Sequence, residues 1–595
     1  MSEEYEGVGD PRLQAEGELA LARMAWEGGD LSHAADHVAG ALAYDPVLPE
    51  AHELLAKLAA HPDGGPGLFT LGDEVFLGTA VARAHVLAYA GEHAQALQLL
   101  ISVQSHQVEG RWAHVPWVLD PDLPGRLPAQ ELGELFGRLV PALPDPVPQE
   151  RREALEPYVE LVRNSVLAHP DDPTLGWIGS MLIRRAGHAE EAAELAERAY
   201  AAQPSHMAAI AAGSAYRNLE RWDEAEQAMR RALSHDPDNL HLRTDLGELL
   251  HTAGRSDEGL GWVEAVLEED PDHESAFPTA CGMRFERDGD LAHLVRLADH
   301  LREHPDNGHA DRVLAQHCAA QPWLSGQSGP TESVIDVLFQ VLEKEGEPGG
   351  GGSLRVSAPE SPSAFMAFHR AVPGFVVEVT GVPEPDPRLT VPELYAKGPV
   401  KEVTRRVWTY AGVVAAPAVP PPDERVLEAV ARVAAAPWRH LPAAVERASE
   451  LAGLPLDDLL GVLVHPPEQP FGQAVAWPYW IRQVQALACL GIAWHAREQP
   501  WGESERREVL IDLAYGPEDW VTEAALLALV ATAWVDEDAR ADVAELLAWR
   551  YMAAVKAAAT RPVTLLDSLR HLVLAAPDLH PDVRALAEGR PYEGE

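Results

Sequence analysis

The sequence predicts a mostly α-helical protein: an α-solenoid of stacked helical hairpins, a small β-containing insert and a second helical-repeat region. Three observations carry that prediction. Pro204, Pro237, Pro271 and Pro305 recur 33, 34 and 34 residues apart, each after a short Ala-rich amphipathic segment, which is the period of stacked helical hairpins. Trp480 and Trp520 stand 40 apart, and Leu487/Leu527, Ala488/Ala528, Ala493/Ala533 and Trp494/Trp534 keep the same register. Between the two patterns, Glu347-Pro348-Gly349-Gly350-Gly351-Gly352-Ser353 reads as a flexible hinge and domain boundary.

Length and composition agree with that reading. At 595 residues the chain exceeds one core, and 46% hydrophobic with 24% charged residues is the make-up of folded protein. A repeat array presents a long surface rather than one enclosed pocket, so the expectation moves toward binding.

Residues 10–110 are expected to hold amino-terminal hairpins, with Gly29-Asp30, Ala34, Val38, Ala41 and Pro46 in one and Gly91, Ala96 and Leu100 in another. Residues 111–150 form a proline-rich connection, dense enough in Pro from Val115 to Gln149 to exclude long helices but leaving room for one short helix over Pro128–Val140.

The main array covers residues 151–345. Its clearest unit runs from His206 to Asn239: Gly213 and Tyr216 on a first helix, a turn at Leu219–Asp223, then Ala225, Met229 and Ala232 on a second, stopped by Pro237. The next unit repeats the plan with Leu246, Gly247, Leu250, Val263 and Val266, a turn at Ala253-Gly254-Arg255, and Gly259 in the place of Ala225. Upstream, Ile183, Gly187, Ala192, Ala196 and Ala199 make a preceding unit with Ser180 at the small-residue position. Downstream, Asp272–Pro305 is a degenerate copy with Cys281 and Gly282 at the packing site and a Gly289-Asp290 turn. On these residues the chain resembles the tetratricopeptide-repeat family over roughly residues 10–320.

Residues 346–421 comprise the hinge and the insert, where Leu354–Ala358, Phe375–Thr380 and Val407–Tyr410 read as strands. Residues 422–595 form the second array. Trp480 and Trp520 each open an Ala/Leu-rich helix, and second helices follow around Glu505–Tyr515 and Asp538–Met552. A unit of about 40 residues resembles HEAT-type repeats. Pro437-Trp438 and Pro500-Trp501 are expected to end helices and pack between layers.

The charge is lopsided: Lys+Arg 47 against Asp+Glu 93, net −46 at pH 7. Such a polyanion repels phosphate backbones and anionic lipid, and the basic groups occur only as isolated pairs such as Arg184-Arg185, so neither nucleic acid nor membrane is an expected partner. Cys281, Cys318 and Cys489 make no disulfide framework, and the acidic start Met1–Glu6 lacks the features of a secretory signal. The expected location is cytoplasmic. The longest apolar run, Ala524–Val535, is too short to span a membrane and reads as a buried helix.

No catalytic residue, cofactor or metal site emerges. The glycines at 349–352 precede Ser353-Leu354 rather than the Lys-Ser/Thr of a phosphate-binding loop. Ser325-Gly326-Gln327-Ser328-Gly329 lacks the spacer residue of a nucleophile elbow. His33 and His37 sit at i, i+4 without a third ligand.

The binding candidates follow from the resemblance, in which the first helix of each hairpin lines the concave face. They are Trp177, Met181 and Arg184, then Ile210, Ser214 and Arg217, then Thr244, Glu248 and His251. Arg184, Arg185 and Arg217 are expected to stand together and clamp a partner's carboxylate, beside an apolar contact from Trp177 and Met181; alternatively they neutralise acids such as Glu220 and Glu224. Family members that hold chaperone tails use Lys and Asn on this face. Ile210, Ser214, Thr244 and Glu248 occupy those places here, which argues against that role.

The expected function is a scaffold or regulatory adaptor that binds a partner peptide or helix in the repeat groove. Two alternatives belong to other classes. One is an enzyme with its site in residues 354–500, which predicts a polar pocket with perturbed titrating groups at the insert. The other is a self-assembly module.

Overall fold

The computed structural model describes residues 10–72, 75–324, 352–356, 374–379, 419–436, 438–470 and 477–589, together with residues 361, 363, 364, 368 and 407. Among them are twenty-five α-helices and one two-stranded ladder. Contacts divide the chain into two compact units, Met1–Trp262 and Val263–Glu595.

The first unit opens with the hairpin α1 (Pro11–Glu27) and α2 (Leu31–Tyr44), then α3 (Pro49–Ala60) and the hairpin α4 (Leu77–Tyr89) and α5 (His93–His106). Ala34, Val38, Ala41, Ala96 and Leu100 are all fully buried, as their positions in the pattern required. α6 (Ala129–Ala142) is the one short helix expected in the proline-rich stretch, and α7 (Glu156–Ala168) follows it. Then come α8 (Pro173–Arg185) with α9 (Ala189–Ala202), α10 (His206–Asn218) with α11 (Trp222–His235), and α12 (Leu240–Thr252) with α13 (Ser256–Glu269), which carries the unit boundary.

Small residues bring these helices together. Gly213 faces the Met229 side chain, where an added Cβ would come within 3.0 Å, and Ser180, buried at the position Gly takes elsewhere, donates its hydroxyl to the Ala192 carbonyl at 2.8 Å. Gly259 lies against the Gly247 carbonyl, which a Cβ would meet at 2.5 Å, so it does fill the place of Ala225. One boundary differs from expectation. The turn after α10 ends at Arg221, because Trp222 packs on the Ala225–Met229–Leu246 cluster and Asp223 and Glu224 sit well in a helical first turn.

In the second unit, α14 (Ala276–Asp288), α15 (Ala292–Glu303) and α16 (Gly308–Ala319) precede the ladder, in which β1 (Gly352–Val356) pairs in parallel with β2 (Phe375–Val379). After it come α17 (Glu424–Ala435), α18 (Leu441–Arg447), α19 (Leu456–Val464), α20 (Trp477–Trp494), α21 (Glu505–Ala514), α22 (Trp520–Val535), α23 (Glu537–Ala558), α24 (Leu566–Ala575) and α25 (Pro581–Glu588). α9, α11, α13 and α15 each stop two residues before one of the four periodic prolines, as the clash of Pro with the preceding turn demands.

The insert differs from its sequence reading in two places. Val407, expected in a strand, is helical and fully buried; a short apolar run does not by its pattern distinguish the two, and here burial decided. Gly352 and Ser353, read as the end of the hinge, open β1, while 349–351, 408–410 and the Ser325–Gly329 motif lie outside the described residues. Ala364, Phe368 and Val407 share one core with α15, α17, α20 and α22.

The 40-residue register has a structural basis. Trp494 donates its indole N–H to the Val445 carbonyl and Trp534 donates its own to Ala575, each at 2.8 Å. α22 is buried along its length from Trp520 to Trp534. Among the described residues no helix is long and apolar enough to cross a membrane.

Candidate partner-binding groove

The first helices of three hairpins, α8, α10 and α12, are each started by a polar cap: Asp172 accepts from Thr174 N at 2.8 Å, Ser205 from Ala208 N at 3.3 Å and Asn239 from Leu242 N at 3.0 Å. Repeating the cap repeats the helix start, so equivalent side chains of neighbouring hairpins are carried on matching faces.

Along α8, Trp177 and Met181 are half-buried and pack on Ala196, Ala211, Ala212 and Ala228. Arg184 is buried, 5% exposed, and its guanidinium makes a two-point ion pair with Asp145 from the proline-rich connection; it also reaches Asn218 Oδ1 at 3.4 Å. Arg185 donates to the Val140 and Leu143 carbonyls at 2.6 and 2.5 Å, satisfying the open C-terminus of α6. These two arginines are therefore occupied inside the unit, by Asp145 and by backbone. Of the acids considered as neutralising partners, Glu224 pairs with Arg221.

Arg217 stands apart. Its half-exposed side chain makes no hydrogen bond or ion pair among the described residues, yet its charge acts on two carboxyls, Asp145 and Asp245. Burial pushes the Asp145 carboxyl up, but Arg184, Arg185 and Arg217 outweigh it and hold it below the ordinary value. Half-buried Asp245 on α12 is pushed up to about 6 by burial and by Glu248, with Arg217 and His241 pulling the other way. Thr244 turns inward, 1% exposed, and donates to the Leu240 carbonyl at 2.9 Å; His251 is half-buried at the far end of the same helix.

The structure thus brings Arg184, Arg185 and Arg217 round one acid, Asp145, and adds Asn218 and Asp245, which sequence reasoning missed. Asp145 had no local signal: it lies among prolines, 39 residues before Arg184. Asp245 is one position off the i, i+4, i+7 face used to choose candidates.

A second polar feature lies wholly in the second unit. A cleft of about 300 Å³ is lined by side chains of α15, α18, α20, α22 and α23, among them Asp299, Glu446 and Trp494. A polar pocket with perturbed carboxyls therefore exists, formed by helices rather than by β1 and β2. His33 and His37 each engage a separate carboxylate, Asp30 and Glu18.

A family model for the tetratricopeptide repeat matches residues 219–277. Among solved structures, a tetratricopeptide repeat protein from Parabacteroides merdae is 12% identical, covering 51% of this chain and 97% of its own, with TM-score 0.27. YrrB, described as a tetratricopeptide-repeat protein with an unusual peptide-binding site, is 20% identical over 32% of this chain and 92% of its own, with TM-score 0.24. A thermophilic protein of the same repeat type from Thermus thermophilus is 16% identical over 40% and 98%, with TM-score 0.19. At these scores the solved structures add no weight to the repeat match itself. No curated protein matches the chain.

Proposed function

We propose that the chain, a tetratricopeptide-repeat protein, works as an interaction scaffold whose α8–α10–α12 face holds an extended peptide or a helix from a partner protein. One observation carries the reading: Arg217, on α10, is a half-exposed cation without a hydrogen-bonded carboxylate among the described residues, while its charge reaches both Asp145 and Asp245. A partner carboxylate fits beside that guanidinium, and half-buried Trp177, Met181 and Ile210 offer apolar contact on the same helices.

Arg184 and Arg185 enter this reading as supports, because a guanidinium already paired with Asp145 or with carbonyls has no donors to spare without loss of those contacts. The test is affinity capture from the native cells with the intact chain and with Arg217→Glu, each checked by circular dichroism for retained helix. Selective loss of one partner in the variant supports the groove. An unchanged partner set from a folded variant defeats it.

A further inference from the structure

The cleft in the second unit belongs to no repeat-groove function, and its chemistry is specific. Glu446, 5% exposed on α18, and Asp299 on α15 both line it. Arg302 clamps the pair from behind, donating through Nε to Glu446 at 2.9 Å and through Nη2 to Asp299 at 2.6 Å. Burial, then the neighbouring carboxyl, drives the Glu446 carboxyl up to about 7. Arg302 thus offsets the negative charge of the two carboxyls.

Two further guanidiniums line the same cleft. Arg296 and Arg497 have exposed side chains and no hydrogen-bonded carboxylate among the described residues. Arg497 lies over the Trp494 ring at 4.5 Å from its centroid, which limits its freedom and leaves its N–H edge for a ligand. Arg540, by contrast, is held by Asp290 at 3.2 Å and by the Ala533 carbonyl at 3.0 Å. Trp494 itself is fixed by its bond to Val445 and offers a flat apolar wall. About 300 Å³ is at the lower end of small-ligand sites.

We propose that this cleft binds a small oxyanion-bearing ligand, its phosphate or carboxylate taken by Arg296 and Arg497 and its remaining atoms against Trp494. Planar guanidiniums take such oxyanions at two points, and of the acids in the lining Asp299 and Glu446 are already paired with Arg302 and Asp290 with Arg540.

Calorimetric titration of the full chain with inorganic phosphate and with succinate tests it, with putrescine as the cationic control. Saturable binding of phosphate alone assigns a phosphoryl ligand, of succinate alone a carboxylate ligand, and of both an unselective oxyanion site; each supports the proposal if Arg296→Ala and Arg497→Ala each weaken it at least about tenfold, the loss of a charge-assisted bond. Both arginines are exposed, so these variants spare the core. The proposal is overturned if neither anion binds at millimolar concentration, if putrescine binds instead, or if both alanine variants bind as the parent does.

Discussion

Arg184 and Asp145, 39 residues apart in the chain, meet in a two-point ion pair, Nη1 to Oδ1 at 2.7 Å and Nη2 to Oδ2 at 2.5 Å. The pair ties α8 to the proline-rich connection. Removing one partner of a fully buried pair costs about 3–5 kcal/mol, and Asp145 is 33% exposed, so Arg184→Met is expected to cost about 2 kcal/mol. Urea denaturation followed by circular dichroism reads it, and an unchanged midpoint would show that the pair is dispensable. The Asp145 carboxyl is held below its ordinary value, so its contribution is present above that value and lost as pH falls through the lowered one.

Two glycines on α13 should respond in opposite directions to the same change. At Gly259 a Cβ would stand 2.5 Å from the Gly247 carbonyl oxygen, so Gly259→Ala must push α13 off α12 and should destabilise by about 1–3 kcal/mol. Gly261 is exposed with nothing within 4 Å, so Gly261→Ala should stabilise by about 0.5–1 kcal/mol through helix propensity. Melting curves of the two single variants settle the sign of each.

His85 gives the first unit a defined acid sensitivity. It is fully buried, accepts from the Trp117 indole at 3.0 Å and faces the His52 ring at 4.7 Å. Burial, then His52, holds its pKa well below the ordinary 6.5. The unfolded chain therefore binds more protons than the folded one below 6.5, and stability falls as pH falls. Denaturation midpoints should be flat above pH 7 and decline below about 6.5, with a shallower decline in His85→Gln. An equal decline in the variant would assign the effect elsewhere.

Arg482 on α20 and Glu523 on α22 sit 3% and 7% exposed, with Nη2 at 2.7 and 2.9 Å from the two carboxylate oxygens. Arg482→Met alone leaves a buried carboxylate and should cost about 3–5 kcal/mol, whereas Arg482→Met with Glu523→Leu should recover most of that loss. A double variant no more stable than the single one would mean that the two side chains are not coupled.

The hairpins of the first array and the helices of the second were legible from spacing alone. Pro204, Pro237, Pro271 and Pro305 stop helices through a clash local to the chain, and Ala34, Ala225 and Leu487 must face inward because helical periodicity puts them on one side. Such effects act within a few residues, so the sequence determines them by itself. Which charges pair was decided only by the tertiary structure: Arg184 finds Asp145 rather than Glu220, and Glu446 finds Arg302 from 144 residues away. In a chain of net charge −46 every arginine has many acids to choose from, and only packing brings one of them within hydrogen-bond distance. Val407 makes the same point for backbone, since a β-branched residue took a helical conformation where the core of the second unit buried it.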